Sequence, residues 1–529
     1  MHVAFPRSRT RWLVSAALGL LVWMTALVVL QPEWAAGLLL FGALVVVPLG
    51  LALLGDGEER GQVSVSRAGT IFFQASAAVC LAASFSMPAP GPIAAALSLP
   101  WLCFTFWIGA IGLLRLLLRV RLRLEDCCLD AGMIFLAVGG VWTTASRFGA
   151  GLMGFSEPIV LLTGAHFHFA GFSLPLLTGF AARTLRRVSA RIAVVGVMAG
   201  VPLTAVGITV GSRLPLVEAL ASWELAGACV LVAFMQLRLA MTPGSRTFRL
   251  LLLASGTSLL VGMGLAAAYA LGVYTKQNWL DIPTMIRWHA TINAFGFALP
   301  GLLAWTVVPP ASEKVNAFMQ LLMRSLGQRP RLEMWESRSI AEGVQPGPRP
   351  GDARDVHERM VAQENPGPPD PHGPFEQLAP AVRGFRVFPN SFIERVCGRE
   401  PVEPGDTVGG CYHLLPGVDL MFAARVTAVF DEKVGTTWRA GFTYQTLNGH
   451  PELGEETFSV EKDAVTGRVS VALRSWSRPG AWLISLVYPF ARRCQLRAGR
   501  AALDHLEQMI RQTPVACHSA RSLHPQQID

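Results

Sequence analysis

The stretch "IVLLTGAHFHFAGFSLPLLTGF", Ile159 to Phe180, contains no Asp, Glu, Lys or Arg. An α-helix needs about 20 apolar residues in a row to cross the hydrocarbon of a bilayer. The titratable groups of the run are two imidazoles, His166 and His168. An ionisable ring is costly at such depth, so it pairs with a neighbour or serves a function. The stretch reads as a membrane helix with a polar purpose.

The flanking sequence agrees. Apolar runs lie at 12–30, 34–54, 68–87, 93–114, 127–145, 159–180, 192–211, 217–237, 250–271 and 286–308. They predict a bundle of about ten transmembrane helices over residues 1–310. Asp130, near the start of the fifth run, makes that run the least regular. The chain is 52% hydrophobic and 15% charged, with mean hydropathy +0.41. That excludes an ordinary soluble globular chain of this length. "LVSAALGLLVWMTALVVL" follows a basic start but is too long for a signal-peptide core, and no small-residue cleavage site follows. It reads as the first membrane helix.

The net charge of +9 does not point to nucleic acid. The basic residues sit in alternate loops: roughly sixteen precede odd-numbered helices, against three or four in the other loops. This is the positive-inside pattern, and it predicts a multi-pass protein with both termini cytoplasmic. The nine cysteines are odd in number and form no C-x-x-C, so they read as free thiols.

After Val308, "PPASEKVNAFMQLLMRSLG" is expected to be an interfacial helix. Residues 311–381 read as a Pro/Gly-rich cytoplasmic linker. From 382 to 512 the period changes to two. "DLMFAARVTAVFDE", "TTWRAGFTYQTL", "ETFSVEKD" and "RVSVALRSWS" alternate as antiparallel strands do. A long amphipathic helix closes the segment, with Pro489 a kink. The expected fold is a soluble α+β domain, reminiscent of helix-grip folds, with a disordered tail at 513–529.

Candidate binding residues fall in two groups. In the membrane half, His166 lies about 10 Å from the outer end of its helix at 1.5 Å per residue. Glu224 and Asn293 fall at similar depth on two other helices, and His289 shares a helix face with Asn293. Together they suggest a polar ligand site in the outer half of the bundle. His166 and His168 lie about 200° apart on a regular helix, so only one of them can face a given point. The plain alternative is that each imidazole is neutral and hydrogen-bonded to a backbone carbonyl. In the soluble half, Tyr444, His450, Glu452, Glu456 and Arg474 cluster around a predicted hairpin and could line a ligand pocket. The plain alternative there is a solvated turn whose acids pair with arginines across the sheet. No nucleophile–base motif, phosphate loop or metal spacing occurs, so no catalytic residue, metal or cofactor is assigned.

"TGAHFHFAGF" and "HATINAFGFALPGLLAW" resemble the YndJ-like family of bacterial membrane proteins. "GFTYQTLNGHPELGEETFSVEKD" and "VSVALRSWSRP" resemble an uncharacterised bacterial domain often fused to such regions. Where the family motif reads "HG", this chain has His289 followed by Ala290. The resemblance implies a multi-pass protein of the bacterial cell membrane, sometimes labelled a transporter, and it transfers no catalytic role. Three functions stay open. One is transport or binding of a small solute or ion, with a cytosolic ligand-binding domain; the "VGVMAGVPLTAVGITVG" run would then be a discontinuous helix. Another is a haem- or copper-binding redox protein. The third is a membrane-anchored signalling scaffold. The expected partners are the lipid bilayer and a small-molecule or ion ligand.

Overall fold

The apolar runs become helices almost one for one. The computed structural model describes residues 7–54, 68–211, 213–277, 279–309, 319–324 and 327–512. Its helices, in order, are α1 (Arg7–Leu30), α2 (Trp34–Leu54), α3 (Ala68–Ser84), α4 (Pro92–Leu118), α5 (Leu124–Phe148), α6 (Ile159–Leu185), α7 (Val188–Val210), α8 (Pro215–Ala240), α9 (Arg246–Thr275) and α10 (Ile282–Val307). Among the described residues, nine of these are long and apolar enough to cross a membrane; α3 is shorter. They form one compact unit, Met1–Leu118 with Leu122–Asn316.

Helix α2 is buried along its length, whereas α1 exposes Val14, Leu18, Leu21, Val28 and Val29. A surface this apolar faces lipid, where leaving it exposed carries no hydrophobic penalty. Two buried acids of α5 are paired with arginines. Asp130 is fully buried and accepts from Arg115 Nε at 2.9 Å, and Asp126 meets Arg183 at 2.6 Å. Pairing is what allows an acid at Asp130 within an otherwise apolar helix, since a lone buried charge is far costlier. The expected break in α7 is absent: the helix runs continuously through Pro202.

The irregularity lies elsewhere, in turns of π-helix. These are Gly42–Val46 in α2, Phe167–Ser173 in α6, and Met285–Ala290 and Ile292–Ala298 in α10. Single π turns are rare, and they concentrate at functional sites. The π turn of α6 touches those of α2 and α10. Gly42 permits the approach, because a Cβ there would lie 3.0 Å from the His168 Cβ.

The second unit comprises Arg119–Arg121 with Ala317–Asp529. Its sheet has eight antiparallel strands: β1 (Gln320–Met323), β2 (Ala353–Gln363), β3 (Ile393–Cys397), β4 (Thr407–Leu415), β5 (Val418–Val434), β6 (Thr437–Thr446), β7 (Glu452–Asp463) and β8 (Arg468–Pro479). The order is β2-β8-β7-β6-β5-β4-β3. Strand β6 pairs only from Ala424 onward along β5, which leaves the edge at Val418–Met421 for β1. The helices are α11 (Glu333–Glu336), α12 (Pro374–Arg383), α13 (Trp482–Leu486) and α14 (Tyr488–Gln512). Helices α12 and α14 cover one face of the sheet. Phe375, Leu378 and Val382 of α12 and Leu503 and Leu506 of α14 bury against Phe442, Phe458, Val460, Val471 and Leu473. Each large side chain so buried contributes about 1.5–3 kcal/mol.

Three expectations need correction. The described end of the presumed interfacial helix, Gln320–Met323, is a strand, taken up by the open edge of β5. The segment read as a linker contains β2 and α12, both integral to the sheet and core. Its prolines and glycines serve as turns and a helix start, as at Gly373–Pro374 before α12. Pro489 does not kink one helix; it sits in the first turn of α14, after α13 has ended. The tail at 513–529 lies outside the described residues.

Candidate functional site

In the bundle, the π turns bring polar side chains to backbone carbonyls. His168 is fully buried. Its Nδ1 donates to the Gly164 carbonyl at 2.7 Å, so Nε2 is the acceptor, and Trp101 Nε1 donates to it at 3.1 Å. The two rings also stack, with centroids 5.7 Å apart. His168 is therefore a neutral, fully satisfied imidazole. On α10, His289 Nδ1 donates to the Gly262 carbonyl of α9 at 2.9 Å, and Asn293 Nδ2 donates to the His289 carbonyl at 2.9 Å. His289 Nε2 also lies 3.4 Å from Asn293 Nδ2, which leaves one unmet acceptor, Asn293 Oδ1. Asn293 Oδ1 is buried with no hydrogen-bond partner among the described residues. Gly262 makes room for it, since a Cβ there would lie 2.6 Å from Oδ1. His166 is accessible, and charges on its ring and that of His289 would repel. Glu224 lies apart. Its Oε2 would meet a Cβ at Gly200 of α7 at 2.4 Å, and it too lacks a partner among the described residues.

In the sheet, one row of facing residues runs across four strands: Tyr444 on β6, Glu456 on β7, Ser475 on β8 and Asp355 on β2. It continues the aromatic row of Phe442 and Phe458 and turns polar at that end of the core. Tyr444 donates to Glu456 Oε2 at 2.7 Å. Glu452, four residues before Glu456 on the same face of β7, accepts from Gln495 of α14, which also donates to Ser477 Oγ at 2.9 Å. Arg492 of α14 pairs with Asp355. Burial drives the Glu452 carboxyl up to about 8, with the Glu456 charge adding to it. Burial likewise lifts Glu456 to about 7, against the pull of the Tyr444 hydrogen bond. Burial pushes the Tyr444 phenol well above its usual range. His450 accepts from the Glu452 N–H through Nδ1 at 3.0 Å, and burial holds its pKa down to about 4. Near neutral pH the site thus holds a neutral imidazole and two carboxyls poised between protonation states.

Residues 37–297 match the family described as YndJ-like protein, and residues 341–505 match a domain of unknown function, DUF1990. The membrane half thus carries a YndJ-like region, and a DUF1990 domain follows it. The chain is 29% identical over 237 residues to the uncharacterized membrane protein YndJ of Bacillus subtilis, covering 44% of this chain and 42% of that one. It is 27% identical over 144 residues to a UPF0548 protein of Dictyostelium discoideum, covering 26% of this chain and 65% of that one. The chain thus spans less than two thirds of the length of either relative. No solved structure matches it.

In the YndJ-like region the five expected residues do not converge on one point. His289 and Asn293 are neighbours and His166 is near them. His168 instead faces Trp101, and Glu224 faces the glycines of α7. Among the described residues, no three His, Cys, Asp or Glu side chains are grouped to hold a metal ion. In the DUF1990 domain, Tyr444, Glu452 and Glu456 share a face, with His450 beside them. Arg474 does not join them. It pairs across β7 with Thr457, so it projects from the opposite face, where it binds Glu461 and lies 3.7 Å from Glu358. Sequence reading missed Asp355, Ser477, Arg492 and Gln495. Asp355 was hidden in the supposed linker, and the two α14 residues become site residues only once the helix is laid on the sheet.

Proposed function

We propose that this multi-pass membrane protein binds, and in the membrane moves, a small solute or ion bearing hydrogen-bond donors. The observation that carries the reading is Asn293 Oδ1, a buried acceptor without a partner among the described residues, beside the His289 ring. An unmet buried acceptor costs about 1–3 kcal/mol, a cost that a donor on a ligand removes. The π turns of α10 and the accessible His166 support a site at this level. The DUF1990 domain is read as a cytosolic ligand-binding domain, with Tyr444, Glu452, Glu456 and His450 lining its polar end. Glu224 and His168 are left to packing and orientation in this reading.

The test is native mass spectrometry of the full-length protein in nanodiscs, against a panel of small amines, polyols and monovalent cations. At least one ligand should bind the wild type, and its affinity should fall about tenfold or more in Asn293→Leu. Retention of that ligand by Asn293→Leu would move the site elsewhere.

A further inference from the structure

The DUF1990 domain carries a patch that the ligand reading does not use. At the start of α14 and the turn before it, Leu486, Val487 and Phe490 are exposed, at 72%, 38% and 58%. Arg493, Arg497 and Arg500 follow, all exposed. On a helix turning 100° per residue, Phe490 and these three arginines fall within an arc of about 80°. The opposite face, with Gly499, Ala502, Leu503 and Leu506, is buried in the core of the domain. From Trp482 to Leu503 the sequence contains no Asp or Glu. Among the described residues, none of the three arginines forms an ion pair.

We infer that this patch is a docking surface for an anionic lipid bilayer, independent of the ligand reading above. An apolar foot followed by a stripe of arginines is the chemistry of interfacial helices. The apolar side chains enter the acyl boundary, and the guanidinium groups stay at the phosphates. Charge complementarity selects lipid over a neutral protein surface. Covalent attachment to a set of membrane helices keeps a bilayer at high effective concentration, so even weak contacts hold the domain down.

Full-length protein carrying Phe490→benzoylphenylalanine is reconstituted in nanodiscs of phosphatidylglycerol or of phosphatidylcholine and irradiated. Lipid adducts are counted by mass spectrometry. The expected yield is about tenfold higher with phosphatidylglycerol. Joint replacement of Arg493, Arg497 and Arg500 by Glu returns it to the phosphatidylcholine level, because each arginine near an anionic surface is worth about fivefold in binding. The Leu486→Ser variant lowers it without altering charge. Equal yields in the two lipids, adducts to protein in place of lipid, or no adducts at all would overturn the inference. Since the three arginines and Leu486 are exposed, these changes leave the core of the domain intact.

Discussion

Trp101 donates its indole N–H to His168 Nε2, 67 positions along the chain, at 3.1 Å. This bond and the Gly164 carbonyl fix the His168 tautomer. Trp101→Phe keeps the stacked ring and removes the donor, leaving a buried nitrogen unmet. A loss of about 1–3 kcal/mol is expected, read as a lower melting temperature in detergent. An unchanged melting temperature would mean that Trp101 is not the partner.

The alternation of arginines between loops predicts the orientation of the bundle. Fusions of a cytoplasm-active reporter at Arg187 and a periplasm-active one at Pro90 should both be active, placing the two loops on opposite sides. Activity of a single reporter type at both positions would refute the alternation of the ten helices.

The DUF1990 domain should fold alone only if it includes its early strands. A fragment beginning at Ala317 should be soluble and rich in β-structure. One beginning at Val382 lacks β1, β2 and most of α12, and so exposes the edge of β8 and the face of Phe442 and Phe458. It should aggregate. Circular dichroism and gel filtration of the two fragments decide the matter. A well-folded shorter fragment would make β2 dispensable.

The stability of the same domain should fall as pH rises. Glu456 and Glu452 have folded-state values of about 7 and 8, above the ordinary carboxylate value of 4.5. A raised value means that the folded state holds its protons more tightly. The resulting stabilisation is complete below about pH 4.5 and is lost as pH climbs through 7 to 8. Glu456→Gln keeps an acceptor for Tyr444 and removes one of these charges. Hydrogen exchange in β6–β8 should therefore slow at pH 9 in the variant and change little at pH 5. Equal effects at both pH values would refute the linkage.

The sequence was most legible where one physical rule dominates. Hydrocarbon thickness sets helix length, so the ten runs were visible, and period two announced β5 to β8. It was least legible where geometry departs from that rule. Depth along a helix follows from counting residues, but rotation about its axis does not. Glu224 therefore packs against Gly196 and Gly200 of α7, whereas His289 meets Gly262 of α9. The π turns carry no signature in the apolar pattern. Strand β2 was hidden because its pattern is inverted. Asp355 and Arg359 face α14, where they pair with Arg492, Asp504 and Glu507, while Val356 and Met360 are exposed. A strand whose polar side is the inner one reads as solvated loop.

The strand order also governs when the domain can form during synthesis. Ala353 pairs with Ser477 and Gln363 with Arg468, so β2 waits for β8. Helix α14, which covers the row from Tyr444 to Asp355, comes later still. A nascent chain leaving the ribosome thus delivers its membrane helices first and then carries an unpaired β2 through most of the remaining translation. Pairing at such sequence separation is slow and leaves strand edges exposed. The alternating charges of β2, Arg354, Asp355, Glu358 and Arg359, are well suited to keep that waiting segment soluble until its partner emerges.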